Sequence, residues 1–357
     1  MNLTLSLTHA CQLRCDYCYA GEKVDKRMSE ETAMRAIDFA FEYPSQEMIL
    51  GFFGGEPLLE WDLLQKSVER VEEKAKNTNT YLTKTLTTNG LLLDEAKALW
   101  LSQHGFHIAL SLDGNEKMHS THRVFANQAS SFEHTFSALN IIKKYFDSNH
   151  FTIITVVTPQ NVHHLYESVV ELVEQHGVNH FTLSPNLYTT WDEGETLWQE
   201  QYARIGEYVI SSYEKGTPIS VSFIDRKIEA TINEHCRVCS FGEMEIAVAP
   251  SGNIYPCERL IGDDSCAVLL GNVHSGFDIP KRQEILRARG CAYSECETCE
   301  IQTRCQNSCG CTNYSLSGEI NLPTPILCFN EKLSISIADY VYSQLGENSY
   351  FQERWQM

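Results

Sequence analysis

Cysteine is the residue type most able to carry chemistry in this chain, since 14 of its 357 residues are cysteines. Three of them share the segment CQLRCDYCY, where a C-x3-C-x2-C spacing separates Cys11, Cys15 and Cys18. Three thiolates cannot complete the four-ligand shell of a structural zinc site. They can bind three irons of a [4Fe–4S] cube and leave the fourth iron open for chemistry. A chance group of buried cysteines is the alternative interpretation.

A second group of cysteines lies toward the end of the chain, with 11 of the 14 between residues 236 and 328. A C-x2-C-x5-C-x3-C series runs through Cys296, Cys299, Cys305 and Cys309. Disulfides require an oxidising compartment, and the N-terminus lacks the basic start and long apolar run of a secretory signal. We therefore expect a cytoplasmic protein whose cysteines are metal ligands. Zinc is the alternative to iron–sulfur clusters, because paired C-x2-C units are also zinc signatures.

The overall composition excludes two classes of partner. Acidic residues outnumber basic ones by 47 to 28, which gives a formal charge of −19. So acidic a chain is a poor binder of nucleic acid phosphates, and we interpret the charge as a source of solubility. No stretch approaches the roughly 18 consecutive apolar residues of a membrane span. We therefore expect neither nucleic acid nor a membrane as a partner.

The elements that must position these cysteines alternate between short apolar runs and amphipathic stretches. Strands are predicted at 3–7, 48–53, 83–88, 107–112, 151–157 and 181–184. Helices are predicted at 30–42, 61–76, 93–103, 132–146 and 162–175, the first of them capped by Ser29. Such alternation implies parallel strands joined by right-handed crossovers, and ligands then bind at the carboxyl ends of the strands. The predicted fold class is α/β, with a partial (β/α)6 barrel.

Composition divides the chain into three predicted segments. Residues 1–225 form the barrel domain, 226–345 form a small cysteine-rich domain that includes a closing helix at 331–344, and 346–357 form a tail without a clear pattern. We expect the cysteine-rich domain to be held by metal rather than by a large apolar core.

The motifs of the first segment resemble those of radical S-adenosylmethionine (SAM) enzymes. The three cysteines fit the family's C-x3-C-x-aromatic-C pattern, and the partner motifs follow in order: GGEP after the second strand, TTNG after the third and SLDG after the fourth. The resemblance implies a set of SAM-binding residues: Tyr17, Gly54, Gly55, Glu56, Asn89, Ser111, Arg123 and Leu183.

The resemblance also implies what these residues do. The glycines and Glu56 would accept the methionine ammonium, because glycine lets the backbone come close. Arg123 would clamp the methionine carboxylate, Ser111 would contact the ribose or the carboxylate, and Tyr17 and Leu183 would lie near the adenine. Taken singly, GGEP is equally well a turn before a helix, and Arg123 a surface arginine.

The later cysteines resemble the SPASM domain, the C-terminal extension of radical SAM peptide-modifying enzymes. Upstream of the series, C-x12-G-x4-C joins Cys239 to Cys257. The resemblance implies two auxiliary [4Fe–4S] clusters, the first bound by Cys236, Cys239, Cys257 and Cys309, and the second by Cys296, Cys299, Cys305 and Cys328. Three cysteines are left over and are expected to be buried: Cys266, Cys291 and Cys311. Cys311 is also the alternative ligand to Cys309.

The function implied by the resemblance is that of a maturase. With three [4Fe–4S] clusters, SAM and an external reductant such as flavodoxin or ferredoxin, such an enzyme forms a 5′-deoxyadenosyl radical. The radical then starts the crosslinking or oxidation of residues in a ribosomally made peptide or protein. Because the first strand is predicted at residue 3, we expect no N-terminal leader-binding domain, and leader recognition falls to a separate protein or to the barrel itself.

Two alternatives remain open. The first is an anaerobic sulfatase maturase, which oxidises Cys or Ser to formylglycine with an Asp base after the second upstream SPASM cysteine. This chain has Glu258 at that position, and Glu can do the same proton transfer; we predict that Glu258 is catalytic, with a solvent-facing residue or an ion-pair partner of Arg259 as the alternative. The second is a non-catalytic iron–sulfur electron-transfer protein.

Overall fold

The computed structural model describes residues 1–192, 194–234, 239–265, 268–290, 293–305 and 309–356. The predicted ligand Cys236 and the leftover Cys266 and Cys291 lie outside these ranges. Within them, no helix is both long and apolar enough to cross a bilayer.

The strands and helices follow one another along the chain largely in alternation. Strands β1 to β11 are Asn2–Ser6, Glu47–Phe53, Tyr81–Thr88, Phe106–Ser111, Phe151–Val157, His180–Pro185, Ser220–Val221, Glu245–Val248, Asn253–Tyr255, Gly271–Asn272 and Gly276–Phe277. Helices α1 to α12 are Glu30–Phe41, Trp61–Thr78, Glu95–Gln103, Glu116–Ser120, Phe132–Tyr145, Leu165–Glu174, Gly194–Glu214, Ser222–Ile232, Ile279–Gly290, Gly310–Ser317, Pro325–Leu345 and Ser349–Trp355.

The chain forms two compact units, of which the first comprises Met1–Ser111, Arg123–Phe151 and Cys239–Cys291. Its strands lie in the order β11-β10-β9-β8-β1-β2-β3-β4. Strands β1 to β4 and β8 pair in parallel, and β8 to β11 pair antiparallel. The predicted parallel α/β architecture is therefore confirmed.

Side-chain alternation explains the register of the first unit's sheet. Leu3 and Leu5 of β1 lie opposite Leu50 and Phe52 of β2, and all four side chains are buried. A slip of one residue would turn this apolar set toward the other face of the sheet. Each such burial stabilises the fold by about 1.5–3 kcal/mol, so the register that positions the strand ends is strongly specified.

The second unit comprises Leu112–His122, Thr152–Val238 and Ala292–Met357. Strand β5 pairs in parallel with β6, and β6 with β7. Aromatic side chains fill its helical core: Tyr202 stacks on Phe223 with ring centroids 4.1 Å apart, and Trp198 meets Phe329 edge-on at 5.3 Å. These contacts join α7, α8 and α11.

Three features differ from the sequence-based expectations. Strand β8 pairs in parallel with β1 and its residues Ile246, Ala247 and Val248 are fully buried, so the expectation that metal replaces an apolar core is wrong for this part of the cysteine-rich region. The closing helix begins at Pro325, six residues before the predicted start. The tail contains helix α12, capped by Asn348.

Candidate active site

The first cysteine motif forms a loop after β1. Cys11 and Cys15 are partly buried and Cys18 is exposed, and none is in a disulfide. The Cys18 N–H donates to the Cys15 carbonyl at 3.2 Å, and Lys23 Nζ donates to the Cys18 sulfur at 3.1 Å. Burial raises the pKa of the Cys11 thiol, so we expect metal binding to release its proton. Three cysteines that are closely spaced along the chain and form no disulfide fit the donor set of a cube with one open iron.

The GGEP segment is hydrogen-bonded directly to this loop. The Gly55 N–H donates to the Thr8 carbonyl at 2.7 Å, and the Glu56 N–H donates to the Ala10 carbonyl at 2.9 Å. A Cβ on Gly55 would lie 2.0 Å from the Ala10 oxygen, and Gly54 has a φ of +129° that side chains rarely adopt. Glycine is therefore required for the close approach of β2's end to the cysteine loop.

Glu56 connects the ends of two strands. Its carboxylate is 1% exposed and accepts hydrogen bonds from the Leu58 N–H at 3.0 Å, the Thr88 hydroxyl at 2.7 Å and the Asn89 N–H at 2.8 Å. Burial raises the pKa of Glu56 to about 7. An ionised carboxylate has about four acceptor sites, so one site is left for a ligand donor.

Asn89 continues this network to the cysteines. Its side-chain NH2 donates to the Cys11 sulfur at 3.7 Å and to the side-chain Oε1 of Gln12 at 3.4 Å. The Thr135 hydroxyl donates to the Asn89 carbonyl at 2.9 Å, which anchors the residue to α5. The first cysteine, the GGEP carboxylate and the TTNG asparagine are thus neighbours, as their places at the strand ends predict.

Arg123 lies beside the same loop. Its guanidinium carbon is 5.5 Å from the centroid of the Tyr17 ring. The following residue holds it there, because the Arg14 N–H donates to the Val124 carbonyl at 2.8 Å. Arg123 is only 7% exposed, so the alternative of a surface arginine is wrong. A guanidinium can stack on an aromatic face and also bind a carboxylate through its planar N–H donors.

Two further residues predicted to contact SAM, Ser111 and Leu183, each lie in a β-strand. Ser111 is the last residue of β4 and is half-buried. Leu183 lies in β6 of the second unit and is buried. Their roles toward SAM stay predictions.

Four cysteines of the second unit line one cavity of about 540 Å³: Cys296, Cys299, Cys305 and Cys328. They are the four predicted ligands of the second auxiliary cluster. Burial raises the pKa of the Cys328 thiol, and the nearby Cys296 and Cys299 thiols add to this effect. Among the described residues, no three His, Cys, Asp or Glu side chains lie close enough together to hold a single metal ion. A [4Fe–4S] cube does not require such a group, because each of its thiolate ligands binds a different iron.

Cys239 and Cys309, two predicted ligands of the first auxiliary cluster, each contact a neighbouring polar side chain. The Cys239 thiol donates to Glu245 Oε2 at 3.3 Å. The Cys309 and Cys311 sulfurs are 3.5 Å apart, and this contact, followed by burial, raises the pKa of Cys309 well above its usual value. Both candidate ligands therefore lie at the same place in the fold. Cys236, the fourth predicted ligand, lies outside the described residues.

Glu258 lies next to the buried Cys257, whose thiol donates to Glu258 Oε2 at 3.5 Å. The neighbouring Arg259 places its guanidinium 5.3 Å from the centroid of the Tyr19 ring, and Tyr19 directly follows Cys18. The proposed base therefore belongs to a segment that contacts the first cysteine loop. Sequence reasoning missed Tyr19; an aromatic residue directly after the third cysteine was the available signal.

Comparison with known proteins identifies the type of domain. Residues 5–173 match the model of the radical SAM superfamily. The cysteine-type anaerobic sulfatase-maturating enzyme of Clostridium perfringens is 23% identical over 330 residues, which cover 84% of this chain and 85% of the relative. The chain therefore contains a radical SAM domain, and this makes it an enzyme that depends on a [4Fe–4S] cluster and SAM.

Solved structures are similar over nearly the whole chain. Native anSMEcpe with bound AdoMet and Cp18Cys peptide has a TM-score of 0.80 at 21% identity, over 96% of this chain and 97% of that one. Streptococcus suis SuiB bound to precursor peptide SuiA has a TM-score of 0.63 at 16% identity, over 92% of this chain and 75% of that one. At these identities the likeness establishes the fold.

Proposed function

We propose that this protein is a radical SAM maturase that modifies residues of a ribosomally made peptide or protein. The observation that carries the proposal is the network that joins Cys11, Glu56 and Asn89 beside Arg123 in one compact unit. The two similar structures support the substrate class, because each was solved with a bound peptide.

The chain's own residues bind and orient the cofactors. Cys11, Cys15 and Cys18 would hold the [4Fe–4S] cluster, which with SAM supplies a 5′-deoxyadenosyl radical that takes a hydrogen atom from the substrate. Glu56 would accept the methionine ammonium at its remaining acceptor site, and Arg123 would donate to the methionine carboxylate. This pairing of a buried acid and a buried base matches the two charges of the methionine moiety.

We further propose two auxiliary clusters, within a SPASM domain at 226–345, and thus three [4Fe–4S] clusters in all. Support for the second is direct, because its four cysteines line one cavity. Support for the first is the C-x12-G-x4-C spacing of Cys239 and Cys257. An external reductant such as flavodoxin or ferredoxin would supply electrons in the cytoplasm.

Formylglycine formation is the favoured alternative. The observation behind it is Glu258, which follows the buried Cys257 and occupies the place of the base in anaerobic sulfatase maturases. A carboxylate held beside a cluster ligand has a fixed backbone, as a proton acceptor requires. It would remove a proton from the substrate radical that hydrogen abstraction leaves, and the remaining electron would pass to the proposed auxiliary cluster of Cys257.

The test of this role is Glu258→Gln, which keeps the size of the side chain and removes the base. We expect SAM cleavage to continue while modification of the Cp18Cys peptide, followed by mass spectrometry, falls about 100- to 10,000-fold. Glu258→Asp restores a carboxylate and serves as the matched control, with partial activity expected. Normal peptide turnover by Glu258→Gln would remove Glu258 from the mechanism, and cleavage of SAM without any peptide modification by the wild type would argue against this substrate.

A further inference from the structure

A buried ion pair lies in the second unit between helices α8 and α11. Lys227 Nζ is 2.6 Å from Glu331 Oε2, and the two side chains are 3% and 4% exposed. Removing two charges from water is unfavourable, and apolar residues of similar volume often stabilise a fold equally well or better. Stability alone is therefore a weak reason for this pair.

The hydrogen bonds of the pair lead to two cysteines of the cavity. Besides Glu331, Lys227 Nζ donates to the carbonyl of Arg304 at 2.9 Å, and Arg304 directly precedes Cys305. The contact is reciprocal, because the Arg304 guanidinium donates to the Lys227 carbonyl at 3.4 Å. Glu331 follows Cys328 by three residues on α11, which is nearly one helical turn. One buried ammonium thus ties the segment of Cys305 to the helix that carries Cys328.

We propose that Lys227 and Glu331 are positioning residues that hold Cys305 and Cys328 at the spacing required by the second auxiliary cluster. The inference rests on the proposed function, because it assumes a cluster in this cavity. Cys305 lies in extended backbone directly after a short 3-10 helix, so contacts of the adjacent Arg304 help to set its position. Ligands of a metal centre bind well only when their supporting residues hold them in place.

The test separates positioning from folding. Lys227→Met leaves Glu331 buried without its cation, and this variant alone is ambiguous because it is expected to unfold more easily. The double variant Lys227→Met/Glu331→Leu replaces both charges by apolar groups, so we expect it to unfold in urea at the wild-type midpoint or above. The matched control is Arg226→Met, which removes an exposed charge from the adjacent position of α8.

Iron is counted in the full chain after anaerobic reconstitution. With three cubes the wild type and Arg226→Met should hold about 12 irons, and both Lys227 variants about 8, with one cluster missing from the electron paramagnetic resonance spectrum. SAM cleavage should persist in all of them, because the N-terminal cluster is untouched. A double variant that keeps about 12 irons would overturn the inference and leave the proposed function intact. A wild type with only about 4 irons would overturn the auxiliary clusters, and this inference with them.

Discussion

Replacing Glu56 by Gln should weaken SAM binding while leaving the fold nearly as stable as before. The Glu56 carboxylate is buried and accepts three hydrogen bonds, from Leu58, Thr88 and Asn89. Gln keeps an oxygen acceptor at this place but carries no charge, and its NH2 group meets a backbone donor. The substitution therefore separates the charge of the residue from most of its structural contacts.

The effect on stability follows from the pKa. Burial raises the pKa of Glu56 from 4.5 to about 7, so the folded chain binds this proton more tightly than the unfolded chain. The resulting stability is fully present below pH 4.5 and is lost as the pH rises through 7, a difference of about 3 kcal/mol in unfolding free energy. Gln does not ionise, so it avoids this loss of stability above pH 7. It also replaces one hydrogen-bond acceptor by an NH2 group, which lowers the unfolding free energy by about 1–3 kcal/mol. Above pH 7 the variant should therefore lie within about 2 kcal/mol of the wild type, with a flatter pH dependence.

SAM binding depends on pH in the opposite direction from stability, because it strengthens as the pH rises through the pKa of Glu56. An ammonium ligand requires ionised Glu56, whose ionised fraction falls about eightfold between pH 7.5 and pH 6 when the pKa is about 7. With an α-amino pKa of about 7.7–8.0, the ammonium fraction of SAM rises from roughly two-thirds at pH 7.5 to nearly one at pH 6, so the wild-type Kd should rise about sixfold. Glu56→Gln should bind SAM at least about tenfold more weakly at pH 7.5, with a Kd that changes by less than about twofold between pH 7.5 and pH 6.

Equilibrium dialysis of SAM against anaerobically reconstituted protein, at equal iron content, measures both effects. Glu60→Gln is the matched control, because it removes a nearby carboxylate that pairs with Arg27, and we expect SAM affinity to be unchanged. Wild-type binding that is independent of pH, or wild-type affinity in Glu56→Gln, would refute the assignment of Glu56 to the SAM ammonium.

Other substitutions test the rest of the site. Arg123→Ala should weaken SAM binding about tenfold or more, because a charged hydrogen bond is worth about 1.5–3 kcal/mol, while iron analysis shows no loss; unchanged affinity would mean that Arg123 faces another group. Gly55→Ala places a Cβ 2.0 Å from the Ala10 oxygen, so N-terminal iron and SAM cleavage should both fall, and normal values would contradict the requirement for glycine. Cys296→Ala/Cys328→Ala should remove about 4 irons and leave SAM cleavage intact; a zinc content near two with no iron in the tail of the wild type would end the cluster assignment.

The order of elements could be predicted from the sequence because it depends on local pattern. Apolar runs mark β1 to β6, and Ser29 caps α1 as expected, accepting from the Thr32 N–H at 3.1 Å. The pairing of β8 with β1 could not be predicted in this way. It joins residues more than 240 positions apart, and no local pattern selects a partner strand. Helix α12 was missed because it is only seven residues long.

For the site, the sequence predicts which residues lie close together but not the contacts between them. Strand ends in parallel sheets meet at one edge, so the proximity of Cys11, Glu56 and Asn89 follows from the motif order. The hydrogen bond from the Asn89 N–H to Glu56 depends on the register of β2 and β3, which the sequence does not state. The contact of Arg259 with Tyr19 and the tether from Lys227 to the cysteine segment are long-range as well.

Reductive cleavage of SAM is the activity that the proposed site must have. The measurement is 5′-deoxyadenosine formed after dithionite and SAM are added to the anaerobically reconstituted full chain, quantified by chromatography. We expect turnover by the wild type and none by Cys11→Ala/Cys15→Ala/Cys18→Ala, which should lack about 4 irons. A wild type that carries its N-terminal cluster, binds SAM and forms no 5′-deoxyadenosine would contradict this expectation.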